Sequence, residues 1–353
     1  MEYGPRDARA ASCRQRRQPF VEPRFAGRER KAARDVRIVV VGGGSWGTAF
    51  SALLRDCGHE VVLACRDPEQ AAVIAATRRN PRYLRDVDLT GIAATTIPAA
   101  PFLEAELIVV AVPSRSFGEV VASLPGDAPV LSLTKGLDPA TGERLSTLVR
   151  GRPVAVLSGP NIADEIARGL PAAAVIASED DELASRLQLA TGSRLFRVYV
   201  NSDIVGVELC AAAKNVIALA AGGADGLQLG DNAKAALVAR GLAEMARLAE
   251  AAGARTETFS GLAGLGDLIV TCWAKSGRNR RAGELIAKGY SPDEAAREIG
   301  MVIEGLTTAP ALRNLSHRLG IELPITAGVC AVLDGEPLLG LVSSLMLREP
   351  TSE

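Results

Sequence analysis

Short continuous apolar runs punctuate the first half of the chain, and longer stretches of helical periodicity fill the second. Ile38-Val39-Val40-Val41 is an unbroken β-branched run, the mark of a strand buried on both faces of a parallel sheet, and it stops at Gly42. Thr48 to Leu54 carries on as a helix, and Val61 to Ala64 reads as the next strand. The pattern then predicts a helix over Glu69 to Ala76 and a strand over Glu106 to Val112 that is ended by Pro113-Ser114. The Pro- and Arg-containing stretch up to Leu84 carries no clear period. A helix over Phe117 to Leu124 precedes a strand over Pro129 to Leu133. Strand Val154 to Leu157 runs into Ser158-Gly159-Pro160-Asn161, where Asn161 is placed to cap a helix from Ile162 to Arg168. Strands over Ala173 to Ala177 and Leu195 to Val200, with a helix between them, complete the alternation. This is the doubly wound α/β pattern of a Rossmann-type parallel sheet, with Pro113, Lys135 and Ser158 on the strand-end edge where ligands bind.

From Asp203 strands vanish. Helices are predicted over Asp203 to Ala221, Asn232 to Ala252, a glycine-broken set from Phe259, Ser291 to Glu298, Thr307 to Leu319 and Thr326 to Asp334. The expected organisation is therefore a sheet domain over 35–202 and an all-α domain over 203–349. Residues 1–34 resemble neither. They hold ten Lys/Arg against four carboxylates with little apolar periodicity, which predicts a disordered basic tail.

Composition narrows the function classes. A chain of 353 residues, 48% hydrophobic, has apolar material for two domains. With the basic tail set apart, a formal net charge of −1 leaves the remainder acidic, which argues against nucleic acid as a partner. An anionic ligand then needs a local cluster of cations. No apolar run approaches the roughly 18 residues of a membrane span, so no integral membrane segment is expected. The six cysteines (Cys13, Cys57, Cys65, Cys210, Cys272 and Cys330) form no C-x-x-C pair and no metal-ligand spacing. No metal site is predicted, and a reducing cytoplasm is the expected compartment.

The chemistry concentrates at a few places. Gly42, Gly44 and Gly47 fall in the G-x-G-x-x-G spacing between strand and helix, where glycine allows a tight turn, close approach of a pyrophosphate and close helix packing. Arg66 ends the second strand, where a carboxylate would grip the ribose of NAD. A guanidinium there suits the 2′-phosphate of NADP, while Asp67 beside it leaves NAD open. Lys214 stands alone among small apolar neighbours in Val207 to Ala221, and partial desolvation would lower its pKa enough to make it a proton acceptor. His59 and His317 are the only histidines, and neither falls near a candidate site. Lys135 follows a strand end, Gly261 to Leu268 is a glycine-rich approach to Asp267, and Arg278-Asn279 stands at a predicted helix start suited to a phosphate. Glu304, in Met301 to Gly305, is an isolated acid.

Taken together, GGGSWGTA, TKGL, SGPNIADEI, GVELCAAAKNVIALAAG, FSGLAGLGDLIVTC, RNRRAG and VIEG, in that order over about residues 37 to 334, resemble the bacterial-type NAD(P)-dependent glycerol-3-phosphate dehydrogenase family. The resemblance implies a helical domain like that of 6-phosphogluconate dehydrogenase, a homodimer, and interconversion of sn-glycerol 3-phosphate and dihydroxyacetone phosphate for phospholipid synthesis. It implies NADP or NAD as cofactor, with NADP favoured by Arg66. It places the proton acceptor on Lys214, and cofactor contacts on Ser45, Trp46, Arg66, Lys135, Ala163, Arg278, Val302 and Glu304. Substrate contacts fall on Lys135, Gly159, Asn161, Lys214, Asp267, Arg278 and Asn279. In the implied mechanism Lys135 and Asp267 orient the oxygens at the reacting carbon, while Arg278 and Asn279 hold the phosphate. Gly277 stands where the family has a substrate-binding serine, with Ser276 one place early, which puts that hydroxyl contact in question. The competing readings are another β-hydroxyacid or 6-phosphogluconate-type dehydrogenase, and an NADP-sensing module without catalysis.

Overall fold

The computed structural model describes residues 35–339; the basic tail over 1–34 and the last part of the expected helical run lie outside the described residues. The β-branched run forms β1 (Arg37–Val41), with Ile38 to Val41 at most 2% exposed. Helix α1 (Ser45–Asp56) starts earlier than the apolar period indicates, because Gly44 serves as its N-cap. Strand β2 (Glu60–Cys65) leads into α2 (Pro68–Thr77), whose first turn is capped by the Asp67 carboxylate accepting from Glu69 N at 2.9 Å. Pro68 opens the helix at a position where its missing N–H costs nothing. The apolar pattern does not reveal β3 (Ile92–Thr96), since this short edge strand is half polar.

Next come β4 (Leu107–Val110), α3 (Ser114–Ser123), β5 (Val130–Ser132) and β6 (Val154–Ser158). The following helix, α4 (Ala163–Ala167), is shorter than expected. Its N-cap is Ile162 and not Asn161, whose amide is buried elsewhere without a partner. Strand β7 (Ala172–Ala177), α5 (Asp181–Thr191) and β8 (Phe196–Asn201) complete the sheet.

The strand order is β3-β2-β1-β4-β5-β6-β7-β8. The first six strands are parallel, with Val39 opposite both Val62 and Ile108. The β6–β7 pair is antiparallel (Val156 opposite Ala177), so the expected Rossmann-type parallel sheet carries one antiparallel junction, beyond which β7 and β8 are again parallel to each other. The reason is the connection: five-residue α4 is too short to carry the chain back along β6, so β7 enters at the end where β6 leaves. The chain winds outward from β1 to β3, then crosses to β4 on the other side of β1. That reversal leaves a crevice at the ends of β1 and β4, the place where such sheets bind ligands.

The helical part begins with α6 (Ile204–Gly226), buried along nearly its whole length. Among the described residues α6 is long and apolar enough to cross a membrane by length and composition, with Glu208 and Lys214 masking the run in the sequence. In the fold, 89% of its most apolar window is buried, the situation of a core helix. Around it lie α7 (Gly230–Ala251), α8 (Thr256–Ser260), a π-helical turn (Leu262–Gly266), α9 (Asp267–Trp273) and α10 (Arg278–Ala287). Helices α11 (Pro292–Ile299), α12 (Glu304–Leu319) and α13 (Pro324–Leu333) follow. Gly222 on α6 and Gly283 on α10 let the two backbones touch, since a Cβ at either would overlap the carbonyl of Arg280 or Leu219. This close packing fixes the start of α10 relative to α6. Glu208 ties α6 to the loop beyond β5, accepting from Ser146 N at 2.8 Å and Arg144 Nη1 at 2.9 Å.

Candidate active site

The turn after β1 is shaped by its glycines. Gly42 sits at φ 118°, and a side chain there would overlap the Ala111 carbonyl; one at Gly47 would overlap the Gly42 carbonyl. Gly44 borders open space, with nothing within 4 Å of where a side chain would start. It caps α1 with no side-chain hydrogen bond, which leaves the first-turn N–H groups of Ser45, Trp46 and Gly47 for an anion. Trp46 packs edge-on against Phe50 at 5.4 Å, and its indole Nε1 is buried without a partner. Arg66, directly after β2, is exposed and makes no hydrogen bond or ion pair among the described residues. Asp67 is already committed to capping α2 and to an ion pair with Arg82, so it is not a free grip for ribose hydroxyls. An open phosphate cradle, an orphaned indole donor and an unpaired guanidinium together fit a dinucleotide phosphorylated on its ribose.

A charge cluster lies deeper. Lys214 reaches from mid-α6, Lys135 from the loop after β5, and Asp267 from the first residue of α9, delivered by the glycine-rich π-helical turn. Asp267 bridges the two lysines, with Oδ1 2.6 Å from Lys214 Nζ and Oδ2 2.6 Å from Lys135 Nζ. Lys135 also donates to the Gly159 carbonyl at 3.0 Å, and Lys214 to Thr271 Oγ1 at 3.0 Å. Lys214 is 4% exposed and Asp267 2%. Burial drives the Lys214 ammonium down to about 7; the Asp267 charge opposes that and the Lys135 charge adds to it. Burial also works against the Asp267 carboxylate, but the two ammonium groups outweigh it and hold the carboxyl below its ordinary range. Asn161 faces this region beside Gly159, and both its amide oxygen and nitrogen are buried without partners. That is a side chain whose bonds await a ligand.

The start of α10 forms the third part. Gly277 is its N-cap without a side-chain hydrogen bond, so the backbone N–H groups of the first turn have no protein acceptor. A Cβ at Gly277 would lie only 3.0 Å from the Ala274 carbonyl, and Ser276 beside it is exposed. Arg278 donates to the Val302 carbonyl at 2.8 Å. The Asn279 side chain donates one amide hydrogen to Asn215 Oδ1 and accepts from Gly305 N, both at 2.9 Å, which leaves its second amide hydrogen uncommitted. The first turn thus offers backbone N–H groups and the Arg278 guanidinium, while the two Asn279 bonds lock α10 to α6 and α12. Glu304 opens α12, and its carboxylate accepts from Ser114 Oγ at 2.6 Å and Ser114 N at 3.2 Å at the start of α3. Burial raises its pKa against those two hydrogen bonds.

The fold thus joins Lys135, Gly159, Lys214 and Asp267 in one hydrogen-bonded cluster and links it through Asn215, next to Lys214, to Asn279 and α10. Ala163 opens α4, two residues beyond Asn161. Thr271 and Asn215 are missed by the sequence reading. Thr271 stands one helical turn after Asp267, and that spacing on a helix is the signal that identifies it.

Both halves of the chain match models of the same family. Residues 37–184 match the N-terminal model of NAD-dependent glycerol-3-phosphate dehydrogenase, and residues 203–338 its C-terminal model. A glycerol-3-phosphate dehydrogenase [NAD(P)+] of Moorella thermoacetica is 47% identical over 326 residues, 90% of this chain and 97% of the relative. One from a Thermoanaerobacter species is 44% identical over 327 residues, 90% of this chain and 99% of its own. The crystal structure of glycerol-3-phosphate dehydrogenase from Coxiella burnetii superposes with a TM-score of 0.85 at 36% identity, covering 89% of this chain and 99% of that one. With both halves matched in order and the relatives spanned almost end to end, the chain belongs to the NAD-dependent glycerol-3-phosphate dehydrogenase family.

Proposed function

We propose that this chain interconverts sn-glycerol 3-phosphate and dihydroxyacetone phosphate, supplying glycerol 3-phosphate for phospholipid synthesis. The observation that carries this reading is the buried Lys214–Asp267–Lys135 cluster, an amine with its pKa drawn down to about 7 and held in place by a shared carboxylate. The nicotinamide coenzyme, when bound, supplies the hydride in reduction and accepts it in oxidation. In the oxidative direction Lys214 takes the proton of the C2 hydroxyl; in reduction its ammonium returns a proton to the C2 oxygen. Asp267 holds both ammonium groups in place, and Lys135 presents positive charge to the same oxygen. Asn161 offers a free amide to the substrate's oxygens, and Arg278 and Asn279, with the first turn of α10, hold the phosphate. Anchoring the phosphate away from the reacting carbon sets the attack geometry, from which most of the rate gain follows. The sheet half, 35–202, carries the coenzyme on this reading, and the helical half, 203–349, most of the substrate contacts. The enzyme acts as a homodimer in the cytoplasm, in keeping with the reduced, buried thiols of Cys65, Cys210, Cys272 and Cys330.

Purified protein is expected to oxidise NADPH on addition of dihydroxyacetone phosphate, followed by nicotinamide absorbance. Turnover of 6-phosphogluconate or a β-hydroxyacid in its place, or coenzyme binding with no turnover, overturns the proposal. NADP is the favoured coenzyme because Arg66 is unpaired while Asp67 is engaged. Arg66→Ala should raise KM for NADPH by about tenfold, the loss of one charge-assisted phosphate contact, and leave KM for NADH within about twofold. Equal effects on both coenzymes would remove Arg66 from the 2′-phosphate site.

A further inference from the structure

The stretch without apolar period before Leu84 contains a side chain that no catalytic step uses. Asn80 is 1% exposed, and its amide lies between the glycine turn and the strap that follows it. Its Nδ2 donates to the Gly43 carbonyl at 3.0 Å and to Thr48 Oγ1 at 2.8 Å. Its Oδ1 accepts from Gln70 Nε2 at 3.1 Å and from the backbone N–H groups of Arg82 and Tyr83 at 3.0 and 3.2 Å. Gln70 Nε2 donates to the same Gly43 carbonyl at 2.7 Å. Both hydrogens on each amide nitrogen are thereby used.

A trans peptide points its C=O and N–H in opposite directions, and no cis bond occurs among the described residues. Tying the Gly43 carbonyl to Asn80 and Gln70 therefore aims the Gly44 N–H away from them, and Gly44 borders open space. Without side chains of their own, Gly42, Gly43 and Gly44 have little else to hold that peptide plane in one orientation. We propose that Asn80, assisted by Gln70, is the positioning residue of the coenzyme phosphate site, fixing the Gly43–Gly44 peptide so that its N–H is presented to the pyrophosphate. The same side chain fixes the strap whose Arg82 pairs with Asp67, next to Arg66, so the phosphate turn and the edge of the ribose site share one anchor. The inference rests on the coenzyme site described above and is independent of which substrate is reduced.

Asn80→Asp is nearly isosteric and keeps the oxygen that accepts from Gln70, Arg82 and Tyr83. It replaces the two donated hydrogen bonds with a carboxylate oxygen set against the Gly43 carbonyl. NADPH dissociation, read by nicotinamide fluorescence without substrate, is expected to weaken by about tenfold or more. At saturating NADPH, kcat and KM for dihydroxyacetone phosphate should stay within about threefold of wild type. A folded variant that binds NADPH within about threefold of wild type overturns the proposal, as does a loss of kcat equal to the loss of binding. If Asn80→Asp does not fold by circular dichroism, Gln70→Met decides. It should weaken NADPH by about threefold with kcat unchanged, and wild-type affinity overturns the proposal. Wild-type turnover of dihydroxyacetone phosphate, measured alongside, tests the reaction separately from the binding readout.

Discussion

Lys214→Ala should fold normally and lose on the order of 10²–10⁴ in kcat, the contribution of a positioned acid or base. Lys214→Arg should fail nearly as badly, because a guanidinium keeps the positive charge but does not release a proton near neutral pH. The pH dependence follows from the same burial. The amine must be neutral to accept the hydroxyl proton, so kcat/KM for glycerol 3-phosphate oxidation should fall as pH drops below about 7. The reverse reaction needs the ammonium, and its rate should fall as pH rises through the same region. A Lys214→Ala enzyme that retains wild-type kcat, or an oxidation rate flat from acid to alkaline pH, ends this assignment.

The second large effect belongs to Asp267. Asp267→Asn leaves two buried lysines facing one another without their shared counter-charge. Removing one side of a buried ion pair costs about 3–5 kcal/mol, to be read as a lowered urea midpoint at neutral pH. The folded carboxyl titrates below its unfolded value, so its stabilisation is complete above the unfolded pKa, about 4, and is lost as pH falls through the lowered folded value. The stability gap between wild type and Asp267→Asn should therefore close in acid. The Asp267 charge also supports the Lys214 proton, so the variant's residual activity should show its acid limb at lower pH than wild type. An unchanged urea midpoint together with an unchanged acid limb would show that the bridge carries no weight.

These two predictions involve residues that the sequence picks out for different reasons. Lys214 is conspicuous as a lone cation among small apolar neighbours, and the structure finds it buried. What the sequence does not show is that the amine has a partner. Asp267, Lys135 and Thr271 come from distant parts of the chain and meet Lys214 only because α6, α9 and the loop after β5 converge. Asn279 is a further case: its place beside Arg278 at a helix start reads as a phosphate ligand, and only the fold shows that one of its amide hydrogens goes to Asn215 while its oxygen accepts from Gly305 N.

Local chemistry was sufficient for whatever one element decides alone. The β-branched run of β1, the glycine spacing after it, the change to continuous helix beyond Asn201 and the lone cation of α6 are legible in the chain, because strand, turn and helix preferences act over a few residues. Contacts between elements were not legible. The reversal of β7 depends on how far five-residue α4 can carry the chain, and β3 is a strand because β2 offers it an edge. The destinations of Asn80 and Asn279 depend on which acceptors the folded chain places opposite them. A hydrogen bond or ion pair is set by distances of a few ångströms, and between residues far apart in sequence only the packed tertiary structure determines those distances.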